Sequence, residues 1–282
     1  SFAPRSESCT CREADMERRS RHGMFRLAAH YFRFNLSANM AYSTSFLIQV
    51  FGMALNNSAF IIFWFFLFEH IGGAIQGYEF DDVMFLWALA ATGFGVSVVL
   101  FGNTTYISRI IYNGELDVYL LQPKPVLPNL LVSRMIVSGW GDIAYGLILF
   151  VATQPMTVQS WGIFLLFSVM MTLVLTAVRT LYHSLTFFFG NAESFAQMAG
   201  EMTITFMLYP GSIFRGVPMW VLHSLIPAAL VGYIPVRIFK EFDPLLTLVV
   251  IAADALLIAA AVGLFRLGLR RYESGNRMGT RL

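Results

Sequence analysis

The stretch "IIYNGELDVYLLQPKPVLPNLL", residues 110–131, separates two long apolar runs. Into one short connection it places the carboxylates of Glu115 and Asp117, a glycine and three prolines. A membrane-spanning helix needs about 20 mostly apolar residues, and both flanking runs reach that length. The stretch therefore predicts a rigid polar connection between two membrane helices.

Composition supports a membrane protein over the whole chain. Hydrophobic residues make up 57% of the 282 residues and charged residues only 13%. Soluble domains carry about a quarter charged residues. The formal net charge of +2 is too small for a nucleic-acid binder, so we expect no nucleic-acid partner.

Six apolar runs have the length of a membrane span, and we predict an all-helical polytopic protein. They cover residues 45–67, 83–102, 126–151, 161–189, 195–214 and 245–267. Arginines crowd the segments before the first run and after the last, and the positive-inside rule then puts both termini in the cytoplasm. This pattern predicts a multi-pass membrane protein. The six-span domain covers residues 43–270, and a cytoplasmic tail covers residues 271–282.

Two segments outside the predicted spans carry predictions of their own. Residues 23–42 read as a basic amphipathic helix in the cytoplasmic interface, and residues 1–22, which contain Cys9 and Cys11, as a disordered cytoplasmic tail. Residues 215–243 combine several prolines with Leu, Val, Ile and Trp, which favours short re-entrant helices before the last span.

In the opening stretch, residues 104–112 can continue the second span as a helix. Gly114 supplies a left-handed turn, and Glu115 begins a second, short helix with its carboxylate at the positive end. Leu116, Tyr119 and Leu120 then share one face. An apolar patch of this kind in the cytosol predicts contact with a partner.

The segment "GELDVYLLQPKPVLPNLL" resembles the connection between the second and third spans of ABC exporter permeases of the type-2 class. The similarity extends to the basic N-terminal helix, the six spans and the proline-rich run before the last one. It is nearest to a subfamily of permeases often encoded as adjacent pairs with one ATPase.

The resemblance implies that this connection is a coupling helix, which docks on a separate ATPase subunit and transmits its closure. By position, that role falls on Gly114, Glu115, Leu116, Asp117, Tyr119, Leu120, Leu121 and Pro123. In this interpretation Leu116 and Leu120 fill a groove of the ATPase. The alternative is that these residues only shape a tight turn and cap a helix.

A phosphate-binding loop for nucleotide is missing from the sequence. Neither lysine, Lys124 or Lys240, follows a glycine, so no G-x-x-x-x-G-K-[ST] motif occurs. We therefore expect no cofactor in this chain, with ATP and magnesium bound by a pair of partner ATPases. A second permease, identical or related, and membrane lipids complete the expected partners.

Polar residues within the predicted spans are candidates for function, because they are costly in a bilayer. The resemblance makes one group candidate path-lining residues, with hydrogen bonding between packed helices as the rival interpretation: Asn56, Asn57, Ser58, Thr203 and Thr205. A second group is ionisable: Asp142, Arg179, His183, Glu193, Glu201 and Asp254. Arg179 and His183 could meet Glu193 or Glu201 across the turn at Gly190, as a structural ion pair.

The sequence thus favours the permease half of an ATP-driven exporter with an amphiphilic or lipid-like substrate. An ion-coupled transporter that uses Asp142 or Asp254 as a proton site is the first alternative. A membrane-embedded enzyme acting on lipids is the second, although no set of histidines and carboxylates has metal-ligand spacing and no metal site is expected.

Overall fold

The computed structural model describes residues 7–75, 77–209 and 229–273. Within these ranges the regular elements are helices, joined by a 3₁₀-helix at Gly102–Tyr106 and a π-helix at Ala229–Tyr233. The α-helices are α1 Glu7–Met40, α2 Ser43–Ile71, α3 Phe80–Leu100, α4 Ile107–Tyr112, α5 Asp117–Leu120, α6 Val126–Val132, α7 Gly139–Thr153, α8 Val158–Ser184, α9 Thr186–Phe189, α10 Glu193–Met207, α11 Ile234–Lys240 and α12 Pro244–Leu269.

Four helices are long and apolar enough to cross a membrane: Ser43–Ile71, Phe80–Leu100, Val158–Phe189 and Pro244–Leu269. They correspond to the first, second, fourth and sixth predicted spans. Local signals explain where they begin and end. The backbone of α2 ends at Gly72 with φ +69°, and a capping box between Glu79 and Asp82 begins α3.

The third predicted span, residues 126–151, is wrong as a continuous helix. The chain forms α6, leaves the helical conformation after Ser133 and resumes as α7 at Gly139. In the break, the backbone N–H of Ile136 donates to the carbonyl of Val98 at the end of α3, at 3.0 Å. The break is thus stabilised by a tertiary hydrogen bond, which the sequence of apolar residues in this run does not predict.

The fifth predicted span is only partly described. Its helix, α10, has 15 residues and ends at Met207, whereas the prediction continues to residue 214. The re-entrant helices predicted within residues 215–243 lie mostly outside the described residues. Of that region the structure gives the π-helix and α11. Six spans therefore remain a prediction.

Near the N terminus, α1 begins at Glu7 and runs without interruption to Met40. The predicted disordered tail, residues 1–22, is therefore helical from Glu7 onward. The segment 23–42 is helical to Met40, and its position in the membrane interface stays a prediction. Phe32 of this helix contacts Trp140 of α7 edge-on, with ring centroids 6.2 Å apart.

The core is built around α3, which is buried along most of its length between α7 and α8. Gly95 of α3 and Gly139 of α7 allow one of the close approaches between these helices. A Cβ atom on Gly95 would lie 2.6 Å from the carbonyl oxygen of Gly139. Gly93 and Ser97 of α3 pack against α8, since a Cβ on Gly93 would overlap Met171 and Ser97 bonds Thr176 at 3.2 Å.

Four buried hydroxyl groups of helix α8 are satisfied by the backbone of the same helix. Thr172, Thr176, Thr180 and Ser184 follow each other at four-residue spacing, and each hydroxyl donates to the carbonyl four residues earlier, at 2.6 to 2.9 Å. These polar side chains can therefore lie in an apolar environment without unpaired donors. The ladder faces the protein interior, where all four residues are buried.

Candidate functional site: the connecting segment and a polar-ended cavity

The connecting segment after α4 turns sharply at Gly114. The residue has φ +77°, a left-handed conformation that favours glycine, as the sequence predicts. The N–H of Gly114 donates to the carbonyl of Ile111 at 3.2 Å, and the N–H of Glu115 donates to the carbonyl of Ile110 at 2.9 Å. These bonds close the end of α4 and point the chain into the one-turn helix α5, which begins at Asp117 rather than Glu115.

Two side chains fix α5 to the body of the protein. Leu116, just before α5, is fully buried in a cluster with residues of α4 and α6 and with Phe265 near the end of α12. The hydroxyl of Tyr119 lies 3.0 Å from that of Ser133 and accepts a hydrogen bond from the amide of Asn103 at 3.3 Å. The one-turn helix thus rests on the break between α6 and α7 and on the last span.

The buried position of Leu116 corrects its predicted role. With a side chain that is 0% exposed, Leu116 cannot fill a groove on a partner. The exposed apolar side chains of the segment are Val118 at 61%, Leu120 at 42% and Leu121 at 87%. We call these three the apolar ridge. The sequence analysis missed Val118, although its spacing of three from Leu121 puts both on one side of a helical turn.

Polar residues border the apolar ridge. Glu115 is exposed and accepts a hydrogen bond from the side-chain amide of Asn113 at 3.1 Å, and Pro123 is exposed. On the inner side, burial and the nearby carboxylate of Asp117 raise the pKa of the Tyr272 phenol to about 12. Tyr272, just beyond α12, is therefore neutral at physiological pH and packs against the same cluster as Leu116.

A cavity of about 210 Å³ lies between α2, α3, α7 and the end of α10. The residues that give it its character are two amides, a carboxylate and three aromatic rings: Asn56, Asn57, Asp142, Phe60, Trp87 and Phe94. The side-chain amide of Asn57 donates to Oδ1 of Asp142 at 2.7 Å. The cavity is therefore mostly apolar, with a polar end where α2 meets α7.

Only part of the predicted path lining reaches this cavity. Asn56 and Asn57 line it, but the other three predicted residues do not, and their hydroxyls donate within their own helices: Ser58 to Ala54, Thr203 to Ala199 and Thr205 to Glu201. Helix α10 instead contributes Ile204 and Met207. Sequence reasoning favoured polar side chains and so missed these apolar ones, together with Trp87.

The predicted ionisable cluster does not form as expected. Glu193 is paired with Arg109 at 3.6 Å, and His183 Nδ1 lies 2.8 Å from the hydroxyl of Ser108. Neither Arg179 nor His183 therefore forms the predicted ion pair with Glu193 or Glu201 within the described residues.

The guanidinium of Arg179 lies over the ring of Phe94, 5.0 Å from its centroid. Glu201 is exposed. Asp254 in α12 is 5% exposed, and its two carboxylate oxygens have no hydrogen-bond partner among the described residues. Arg179 thus makes a ring contact and no salt bridge within the described residues.

Comparison with known proteins adds the identity of this architecture. The family described as "ABC-2 family transporter protein" matches residues 54–276. The chain belongs to this family. No curated protein and no solved structure matches the chain.

The match to the ABC-2 family confirms the resemblance to type-2 ABC permeases that the connecting segment indicated. It covers that segment, both asparagines of the cavity and the whole of α12, but not α1. Members of this family are generally non-catalytic membrane permeases of ABC transporters, and the ATPase is a separate subunit. For this ABC-2 protein, the structure adds which side chains of the connecting segment are on its surface.

Proposed function

We propose that the chain is the permease subunit of an ATP-driven ABC exporter, and that its apolar ridge docks on a separate ATPase subunit. The proposal rests on two observations: the apolar ridge is exposed, and Leu116 and Tyr119 beneath it attach the same turn of helix to the body of the protein. We call these two residues the buried base of the ridge. Val118, Leu120 and Leu121 present apolar surface, while Leu116 and Tyr119 hold the same turn of helix in place. A solvated turn needs no such exposed apolar side chains, whereas a docking surface does.

The contacts of the buried base support a coupling role. Leu116 belongs to the same buried cluster as Phe265, so a force on the one-turn helix can pass through that cluster to the last span. Tyr119 bonds Ser133, where α6 ends and the break before α7 begins. ATP binding in the partner would close the ATPase pair, displace this helix and shift the spans between two states.

In the proposed assembly two permease chains, identical or related, enclose the substrate path above two ATPases that hold ATP and magnesium. The exposed apolar surface of α2, which is only 11% buried over its most apolar window, suits contact with lipid or with the second permease. Arginines at both ends of the sequence support cytoplasmic termini in a bacterial plasma membrane. The mostly apolar cavity supports an amphiphilic substrate.

Co-purification with a cognate ABC ATPase tests the proposal. Leu121→Asp and Val118→Asp place a charge on the apolar ridge, and we expect each to release the ATPase or to uncouple ATP hydrolysis while the permease remains folded. Val158→Asp is the matched control, because Val158 is also exposed, at 92%, and lies at the start of α8 on the predicted outer side.

Two results would refute the proposal. In the first, the folded wild-type chain retains no ATPase under conditions that preserve membrane complexes. In the second, the ridge variants and Val158→Asp retain the ATPase equally well and hydrolyse ATP at the same rate.

A further inference from the structure

The cavity between α2, α3, α7 and α10 contains a carboxylate with one oxygen left over. Asp142 is 2% exposed, and its Oδ1 accepts the hydrogen bond from Asn57. Its Oδ2 is buried and has no hydrogen-bond partner among the described residues. A buried carboxylate that is half satisfied is costly, and such groups in membrane proteins are usually paired or neutralised.

Nothing in the described part of the cavity supplies the missing positive charge. No lysine, arginine or histidine is among the described residues that line it. The walls are aromatic instead. The rings of Phe60 and Trp87 are stacked with centroids 5.0 Å apart. Phe94 lines the same space, but the guanidinium of Arg179 already lies over its ring, 5.0 Å from the centroid, so Phe60 and Trp87 are the rings left for a ligand. The faces of such rings attract organic cations, most strongly where water is excluded.

Trp87 adds a second unsatisfied polar atom to this cavity. Its indole Nε1 is buried without a hydrogen-bond partner among the described residues. The unpaired N–H of Trp87 needs an acceptor, which an ammonium group does not offer, so the charged anchor of the cavity is Oδ2 of Asp142 alone. A molecule that fits this acceptor and the apolar, aromatic body carries a positively charged donor group at one end of an apolar skeleton.

We propose that this cavity binds small lipophilic amines in their ammonium form, with Asp142 as the charged anchor and the aromatic rings as the walls. The inference rests on the proposed function and deepens it, since it names the substrate class of the path that Asn56 and Asn57 line. The ammonium group donates to Oδ2 of Asp142. The amide of Asn57 keeps the carboxylate in place through Oδ1.

Equilibrium binding to the purified full-length chain in lipid nanodiscs tests the inference. The probes are radiolabelled phenylbutylammonium and the neutral phenylbutanol, which share one apolar skeleton, and empty nanodiscs measure partition into lipid. We expect the ammonium compound to bind at least about tenfold more tightly than the alcohol. This comparison needs only the wild-type protein, so it does not depend on any variant being folded.

Two variants locate the site. Asp142→Asn keeps an oxygen acceptor for Asn57 but removes the charge, and we expect it to weaken ammonium binding by about tenfold or more and to leave alcohol binding unchanged. Asp254→Asn is the matched control, because Asp254 is also a buried acid without a hydrogen-bond partner among the described residues but is not part of the cavity lining. It should bind both probes as the wild type does.

The inference is overturned if the two probes bind equally, if the signal equals that of empty nanodiscs, or if Asp142→Asn binds phenylbutylammonium as the wild type does. Retention of the ATPase, measured on the same preparations, separates this inference from the proposed function. If the ATPase stays bound and the ammonium compound does not bind, only the substrate class is wrong. If no ATPase is retained, the proposed function fails whatever the probes show.

Discussion

Replacing Gly95 by alanine should separate α3 from α7, because these helices have no room for a methyl group. A Cβ on Gly95 would lie 2.6 Å from the carbonyl oxygen of Gly139 and 2.8 Å from the backbone nitrogen of Ile143. The first distance is about 0.8 Å short of an ordinary contact of 3.4 Å. Both atoms belong to backbone, so no side-chain rotation relieves the overlap.

The expected magnitude follows from two opposing effects. Overpacking a dense core costs about 1–3 kcal/mol, and two backbone neighbours of α7 that cannot rotate away put Gly95→Ala in the upper part of that range. Alanine regains up to about 1 kcal/mol of helix propensity over glycine. The net loss is about 1–2 kcal/mol, or a fall of roughly 2–8 °C in the melting temperature.

Gly162→Ala in α8 is the matched control. No atom lies within 4 Å of a Cβ built on Gly162, so this variant receives the propensity gain without the overlap. The melting temperatures of the two purified variants are compared, with unfolding monitored by size-exclusion chromatography after heating. The reasoning about helix approach is refuted if both substitutions change the melting temperature equally.

Three further predictions concern other contacts. Leu116→Ala should lower the free energy of unfolding by about 2–5 kcal/mol, because it opens a cavity in a buried cluster. Leu121→Ala should leave thermal unfolding unchanged, and equal effects of the two substitutions would contradict the buried position of Leu116. The hydrogen bond with Asp82 at 2.8 Å raises the pKa of Lys240, so the pair's stabilisation is present below the ordinary lysine pKa and is lost as pH rises through the raised value. Because the pair is partly exposed, Lys240→Met should cost at most about 1 kcal/mol in urea unfolding at low salt and nothing at high salt. Asp117→Asn should bring the Tyr272 pKa down from about 12 but not to its ordinary value, because burial remains; NMR titration of labelled tyrosine checks this, and an unchanged pKa would exclude the carboxylate as a cause.

Hydropathy predicted the four candidate membrane helices because each contains a long, uninterrupted apolar helix between clear end signals. The third run looked equally continuous, since chemistry alone does not reveal that Ile136 bonds the carbonyl of Val98. One signal was available. Arg134 lies inside that apolar run, and its guanidinium lies over the ring of Tyr106, 4.1 Å from its centroid.

The connecting segment shows a different limit of sequence reasoning. The left-handed turn at Gly114 followed from residue type, because few residues other than glycine adopt that conformation. The orientation of Leu116 could not be predicted from residue type, because a helix of four residues is too short for an apolar stripe that shows which side is buried. Tertiary packing against Phe265 decides it. For the cavity, Asn57 and Asp142 were both singled out by sequence, but their direct contact depends on how α2 crosses α7.

The hydrogen bonds of the hydroxyl ladder in α8 also bear on the direction of one hydrogen bond between α3 and α8. A threonine hydroxyl has a single hydrogen, and Thr176 already gives it to the carbonyl of Thr172 at 2.7 Å. With that hydrogen engaged, Ser97 on α3, at 3.2 Å, is the donor in the bond between the two side chains. At this bond α8 therefore accepts, and removing the serine hydroxyl would leave Thr176 with its own bond intact. One turn away the direction reverses, since the hydroxyl of Thr172 on α8 donates to the carbonyl of Gly93 on α3 at 3.1 Å.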